Sequence, residues 1–549
     1  MSTVAARAMI PLPFLSYVWE YVRTRQRSLA KRYKANPSMA MLVLTTTLYF
    51  WLARRRRSKQ AGVPPPRGIP IPCIKSRLFM LDIGYMFIKS KIEGNELQYV
   101  YDLSKQGLTL RTATIGHSLM IAFEPSSVQH MLVKNFENYP KGPSFYKILH
   151  PLMGTGIFNS DGAAWKNQRA LARPHFQVTE YKGAVHIETQ INQVFRILDQ
   201  TISNGEIIDV QDLWSRYTID TTTGFLFGDC VNALDKPKHQ FLEAFSRTQK
   251  VCGWKMRLCS YKAFVPDFKM SQDVKAMGEF LMPIVDSAIA KENARRQREE
   301  ERSLSDDSEN TTKDSEEGVR DKNENLLAHF LSSTDQNGQP FDRIYLRDML
   351  MNFMTAGRDT STNLLTFVCY CLGKHPKVMD QLWDEIQSIV GCDRKPDHDD
   401  LKKLKYMKQV INETLRLYPA VPFNIKYCLE DDVLPNGYFI PKGSMVAHSS
   451  YVTHRLKEYW GEDSEEFDPD RWGPDRVKEI RPFMFFPFHA GPRICLGQNF
   501  AYNQAMNTLI RLMQRYTWRV VEGFVPRPES DITMFSRNGM QLIFDHRWD

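Results

Sequence analysis

Apolar side chains recur at helical spacing over most of this 549-residue chain. The pattern predicts long helices at 185–200, 277–298, 376–390, 404–417 and 497–518. A further stretch, 352–370, is apolar on all sides and reads as a buried helix with a polar break at 355–361. Short strand-like pieces lie at 108–114, 118–122, 438–440 and 445–448, and Pro435-Asn436-Gly437 supplies a turn before the third. The fold class expected is mainly α with a small β region. Residues 299–325 carry eleven acidic and four basic side chains and almost nothing apolar. Such a segment buries too little surface to order itself, so it is expected to be a disordered, solvated insertion between two helices.

Near the start, an uncharged run at about 38–53 ends in Arg54-Arg55-Arg56-Arg57. At 1.5 Å per residue it spans roughly 25 Å, slightly short of a hydrocarbon core of about 30 Å. Tyr49 and Trp51 stand where an interfacial aromatic belt would lie, and the arginines favour a cytosolic body. Basic residues from Arg23 to Lys34 on the other flank blur that orientation. The expectation is a membrane-anchoring segment over 1–60, a stiff proline-rich hinge over 61–75 and a single body over 76–549. Residues 8–22 suit an interfacial position or a second insertion. A cleaved signal is the rival reading, but the run starts late and ends in arginines.

The charge distribution supports the anchor. The formal charge is +9, yet residues 1–60 alone hold twelve basic residues and one acidic, leaving the body slightly negative. That argues against a nucleic-acid-binding body. The nine cysteines show no paired spacing of a secreted scaffold or a zinc site, which fits a reducing compartment.

Chemistry concentrates at Phe488-His489-Ala490-Gly491-Pro492-Arg493-Ile494-Cys495-Leu496-Gly497. A thiolate suits iron, and glycines let the backbone approach a flat ligand. Arg493 has the fork that meets a carboxylate. A lone cysteine is most often an ordinary buried thiol, so other segments must decide. Glu413 and Arg416 share a helix face in Glu413-Thr414-Leu415-Arg416. Phe467-Asp468-Pro469-Asp470-Arg471-Trp472 follows, and Phe353-Met354-Thr355-Ala356-Gly357-Arg358-Asp359-Thr360-Ser361 precedes. Trp165 and Arg169 are four apart on one helix face.

These segments, in this order, resemble the cytochrome P-450 enzymes, over most of residues 100–545 and most strongly after 340. The resemblance implies one large P-450-like fold despite the length, and haem b held by Cys495, with Phe488, Gly491, Arg493, Trp165 and Arg169 around it. It implies a buried lock of Glu413, Arg416 and Arg471. Thr360 would stand at the oxygen site and Asp359 would relay protons. Lys426 falls where many relatives carry arginine; it keeps the charge and loses the fork. Phe353, Ala356, Phe423, Met534 and Phe535, with the region 139–152, are expected to line an apolar pocket.

The implied activity is monooxygenation, with O2 as co-substrate. No nicotinamide or flavin fingerprint is present, so electrons are expected from NADPH through a separate flavoprotein reductase, docking through residues such as Lys166 or Arg511. The body is expected at the endoplasmic reticulum, facing the cytosol. The motif neighbourhoods look like membrane-bound fungal enzymes acting on alkanes and fatty acids. A terpenoid or aromatic substrate is the alternative. A haem-thiolate isomerase or dehydratase needs no proton relay, and a haem carrier or sensor has no reason to keep Thr360.

Overall fold

Helix Arg343–Lys374 organises the molecule. It starts where the Asp342 carboxylate accepts from the N–H groups of Ile344 and Tyr345, and it stops at His375 because Pro376 follows. Its first half, from Leu346 to Met354, packs into one apolar cluster, and its second half, from Leu364 to Leu372, into another. The polar stretch between them belongs to neither. The polar break expected there is one of burial and leaves the helix continuous: the Thr355, Thr360 and Thr362 hydroxyls bond back to Met351, Ala356 and Arg358 carbonyls, and the helix runs through. Gly357 is where helix Val210–Phe227 comes closest. A Cβ there would stand 2.6 Å from a Thr222 methyl. One turn on, the Thr218 and Thr362 hydroxyls join the two helices at 2.7 Å.

The computed structural model describes residues 68–74, 81–114, 117–178, 183–228, 230–236, 239–258, 267–305, 325–334 and 338–548. Residues 67–549 form one compact unit. The apolar run at about 38–53, the rest of the anchoring segment 1–60 and residues 61–67 of the proline-rich stretch lie outside the described residues. Among the described residues no helix is long and apolar enough to cross a membrane. The end of the proline-rich stretch is tied to sheet structure: Ile69 bridges Tyr438 and Cys73 bridges Arg111.

A four-stranded sheet runs Thr109–Thr114, His117–Ala122, Met445–His448, Asn424–Tyr427. His117–Ala122 and Met445–His448 pair in parallel, Leu119 facing Met445; the other pairs are antiparallel. A second sheet joins Ile208–Asp209, Gln541–His546 and Tyr516–Val520, and a hairpin joins Pro528–Ser530 to Met534–Ser536.

Two expectations need correction. Helix Met270–Ser305 is longer than its apolar pattern and takes in 299–305, the first part of the acidic segment expected to be disordered. Just before that extension, Glu292 binds both Arg295 and Arg296 at 2.9 Å. Residues 306–324 lie outside the described residues. The helix expected to reach 518 ends at Arg515, because Tyr516 and Trp518 alternate inward in a strand registered against His546 and Phe544.

Candidate functional site

The cysteine loop is closed by its own backbone. The Cys495 N–H donates to the Phe488 carbonyl at 3.0 Å, and Ile494 N–H to the Gly491 carbonyl at 3.0 Å. Gly491 has φ 67°, and a Cβ there would lie 2.1 Å from the Leu132 carbonyl oxygen. Its glycine requirement is therefore a contact with protein backbone, not the approach of a flat ligand. Gly497 caps helix Gln498–Arg515, and its N–H donates to the Cys495 thiol. Burial pushes that thiol up, while the Gly497 N–H and the Arg169 guanidinium pull it down. The side chain is reachable by solvent yet enclosed by protein, so it faces an interior hollow. The Phe488 ring packs tilted against Tyr502, and its carbonyl accepts from the cysteine N–H.

Beside the loop lies a surplus of positive charge. Arg493 donates to Asp161 at 2.6 Å and to the Ser160 carbonyl at 3.0 Å, and its guanidinium lies 4.3 Å from the centre of the Trp165 ring. Asp161 also accepts from the Lys141 and Gly142 N–H groups. Burial, then Arg493, push Lys426 down to about 7, and Lys141 is likewise held well below its ordinary range. Burial pushes Arg493 down to about 10 and also lowers Arg169. Two carboxylates, Asp161 and more weakly Glu137, act on Arg493, and Asp161 is the one that acts on both lysines. Arg493 Nε and both His448 ring nitrogens are buried without partners. Buried cations are stable only when paired, so this set fits a dianion. A flat haem with two propionates, presented to Cys495, has that charge.

On the central helix, Ala356, Gly357, Asp359 and Thr360 are half-buried within an otherwise buried stretch. The Thr360 hydroxyl donates to the Ala356 carbonyl at 2.5 Å. Asp359 is held by Gln249 at 2.5 Å and by Arg358 at 3.0 Å. Asn363, one turn on, donates to the Met534 carbonyl at 3.1 Å, and the Met534 N–H donates to Ala420 at 2.8 Å. The central helix, the segment leading to Phe423 and the hairpin carrying Met534 and Phe535 are thereby joined. Ser449 and Ser450 fix the same segment through the Pro422 and Val421 carbonyls. Met534 is buried, while Phe423 and Phe535 are half-buried. Phe353 packs on Phe176, whose ring lies against Gly497.

Comparison with known proteins agrees with this geometry. The family model for cytochrome P450 matches residues 81–543. The chain is 30% identical over 544 residues to a cytochrome P450 monooxygenase, himC, of Aspergillus japonicus, covering 95% of this chain and 92% of the relative. The chain belongs to the cytochrome P450 family. Cytochrome P450 52E1 of Candida apicola is 29% identical, over 87% of this P450 and 90% of the relative. The crystal structure of the cytochrome P450DA heme domain shares the fold, with TM-score 0.71 and 22% identity, covering 88% of this chain and 98% of that one. The enzyme is a P450 monooxygenase, a class that uses haem-thiolate and O2.

In this P450 the Glu413 carboxylate is fully engaged. It takes both Arg416 nitrogens at 2.7 and 2.8 Å, the Trp472 indole at 3.0 Å and the Asp468 N–H at 3.0 Å, with Arg471 at 3.4 Å. Arg416 also donates to the His454 and Glu466 carbonyls, so the pair is buried with its hydrogen bonds satisfied. Of the two expected docking cations, Lys166 is exposed and paired with Glu137. Arg511 is turned inward to Gln514 and Glu188.

Sequence reasoning missed Lys141, Asn363, Gln249, His448 and His489. It missed Asp161 too. Each of them works through partners distant in the chain. His489 stands at φ 63°, a backbone conformation that only the structure shows.

Proposed function

We propose that this P450 holds haem b through the Cys495 thiolate and hydroxylates a long apolar substrate, a fatty acid or an alkane. The observation that carries the haem assignment is the Cys495 thiol, hydrogen-bonded by the first N–H of a helix and facing a hollow rimmed by surplus cations. When bound, the haem supplies the electron and oxygen chemistry that places one oxygen atom of O2 into a C–H bond. The chain's residues do the rest. The Gly497 N–H and the positive helix end stabilise the sulfur's negative charge. Arg493, Lys426, Arg169 and Trp165, with Lys141, orient the carboxylates. Glu413, Arg416 and Arg471 keep the layer beneath rigid. Asp359 holds a proton for delivery at its carboxylate, and Thr360 presents a hydroxyl one residue on. Ala356, Phe423 and Phe535, with the Met534 segment, exclude water and position the chain to be oxidised.

The electrons come from NADPH through a separate flavoprotein reductase. The N-terminal 60 residues anchor the enzyme to the endoplasmic reticulum, with the body towards the cytosol. The long-chain assignment is supported by the likeness of the motif neighbourhoods to fungal alkane- and fatty-acid-hydroxylating enzymes and by the apolar lining. A terpenoid or aromatic substrate is the second reading, favoured by the half-buried Phe423 and Phe535 rings. Spectral titration with fatty acids, alkanes and terpenes, followed by product analysis, tests the choice. Water displacement and hydroxylation by the first two are expected; a response to terpenes alone would reverse the order.

A further inference from the structure

The Asp359 carboxylate is not free. One oxygen accepts from Gln249 Nε2 at 2.5 Å and the other from Arg358 Nη1 at 3.0 Å. Gln249 is buried and belongs to helix Gln240–Leu258. Arg358 is also buried. It donates to Ser215 on helix Val210–Phe227 at 2.7 Å and lies 5.3 Å from the centre of the Phe245 ring, one turn before Gln249. The acid is thus clamped between two helices that are far from it in sequence. Helix Gln240–Leu258 is also joined to the pocket hairpin, because Arg257 donates to the Ser530 hydroxyl at 2.6 Å and to the Asp531 carbonyl at 2.7 Å. A displacement of this helix by a bound ligand therefore reaches the carboxylate through Gln249. A carboxylate with both oxygens engaged hands on a proton only from the orientation its partners impose.

The geometry points to Gln249 as a positioning residue for Asp359, coupling the position of helix Gln240–Leu258 to proton delivery. This rests on the reading of Asp359 as the proton relay. Gln249 touches neither haem nor substrate in this account; it acts through Asp359. Arg358 supplies the second hold, and Ser215 fixes Arg358.

The test uses the full-length, haem-loaded enzyme and four variants: Gln249→Met, Asp359→Ala, the double variant and Asp359→Asn. The first readout is hydrogen exchange of helix Gln240–Leu258, which needs no turnover. Gln249→Met and Asp359→Ala should each speed exchange by about tenfold, as expected for loss of one charge-assisted hydrogen bond. The double variant should be no faster than Asp359→Ala, because that variant has already lost the Gln249 bond along with the Arg358 pair. Asp359→Asn still offers an oxygen to Gln249 and should keep most of the protection. The second readout is substrate-free turnover with NADPH and a flavoprotein reductase, measured as hydrogen peroxide released per O2 consumed, in light and heavy water. Gln249→Met should change this ratio and its solvent isotope effect by about threefold, and should change neither once Asp359 is Ala. Additive effects in either cycle would overturn the positioning role. If Asp359→Asn leaves the peroxide ratio and its isotope effect unaltered, the relay reading falls. The exchange cycle then still judges the clamp separately.

Discussion

Burying a lysine without a full counter-charge costs it its proton, and Lys426 shows the consequence: burial, then Arg493, push it down to about 7. Between pH 7 and its ordinary 10.5 an unfolded chain binds this proton and the folded haem-free chain does not, so stability must rise with pH across that window. Lys426→Met should flatten that dependence and stabilise the haem-free protein, while weakening haem retention. Denaturant titrations from pH 7 to 10, with and without haem, measure both. A variant whose pH slope matches wild type would reject the burial cost. Glu413 is differently placed: its carboxylate accepts from Arg416, the Trp472 indole and the Asp468 N–H. Glu413→Gln strands Arg416 in a buried site and should destabilise by about 3–5 kcal/mol, read as a lower denaturation midpoint. At this scale Cys495, Arg493, Glu413, Arg416 and Arg471 were legible in the sequence, since each sits in a short motif with a fixed chemical type. Lys141 and Gln249 were not. A lysine before a glycine, or a glutamine on an amphipathic helix, acquires meaning only from partners brought in by folding.

Elements were legible where apolar periodicity and local signals agree. Helix Pro376–Ile389 and strands Met445–His448 and His117–Ala122 emerge within a residue or so of their expected bounds. Misses arose where another force set the end. Strand pairing cuts helix Gln498–Arg515 short, whereas helix Met270–Ser305 runs on into an acidic stretch where no apolar periodicity announces it. The buried charges binding three helices and a hairpin together were invisible. Glu96 takes Arg257 through two bonds at 2.9 Å, and accepts from the Ser530 N–H at 3.1 Å and from its hydroxyl at 2.9 Å. Lys91 reaches Glu529 at 2.5 Å and Asp531 at 3.2 Å. This network ties helices Leu81–Glu93 and Glu96–Ser104 to helix Gln240–Leu258 and to the hairpin bearing Met534. Glu96→Gln should leave Arg257 with an unmatched charge and cost about 3–5 kcal/mol. Its hydrogen exchange should rise in both the hairpin and helix Gln240–Leu258. Exchange confined to the Glu96 helix would show that the network does not join them.

Taken whole, the molecule has a thiol with buried cations beside it at the start of helix Gln498–Arg515 and a polar break in burial on the central helix. Residues 67–549 form their own compact unit. A chain starting at Arg67 should therefore fold, take up haem and lose sedimentation with membranes. Failure to take up haem would show that the first 66 residues are needed for the body to assemble. The long order of motifs made the fold legible, because it needs no local geometry. The substrate was less legible, because apolar side chains such as Phe423 and Met534 accept many shapes. The claim beneath all of this is that sulfur at position 495 binds the haem iron. The carbon monoxide difference spectrum of the reduced protein reports that bond directly. Wild type should give the red-shifted band of thiolate ligation, and Cys495→Ser should lose that band while the fold persists. A Cys495→Ser protein that keeps the red-shifted band would contradict the account.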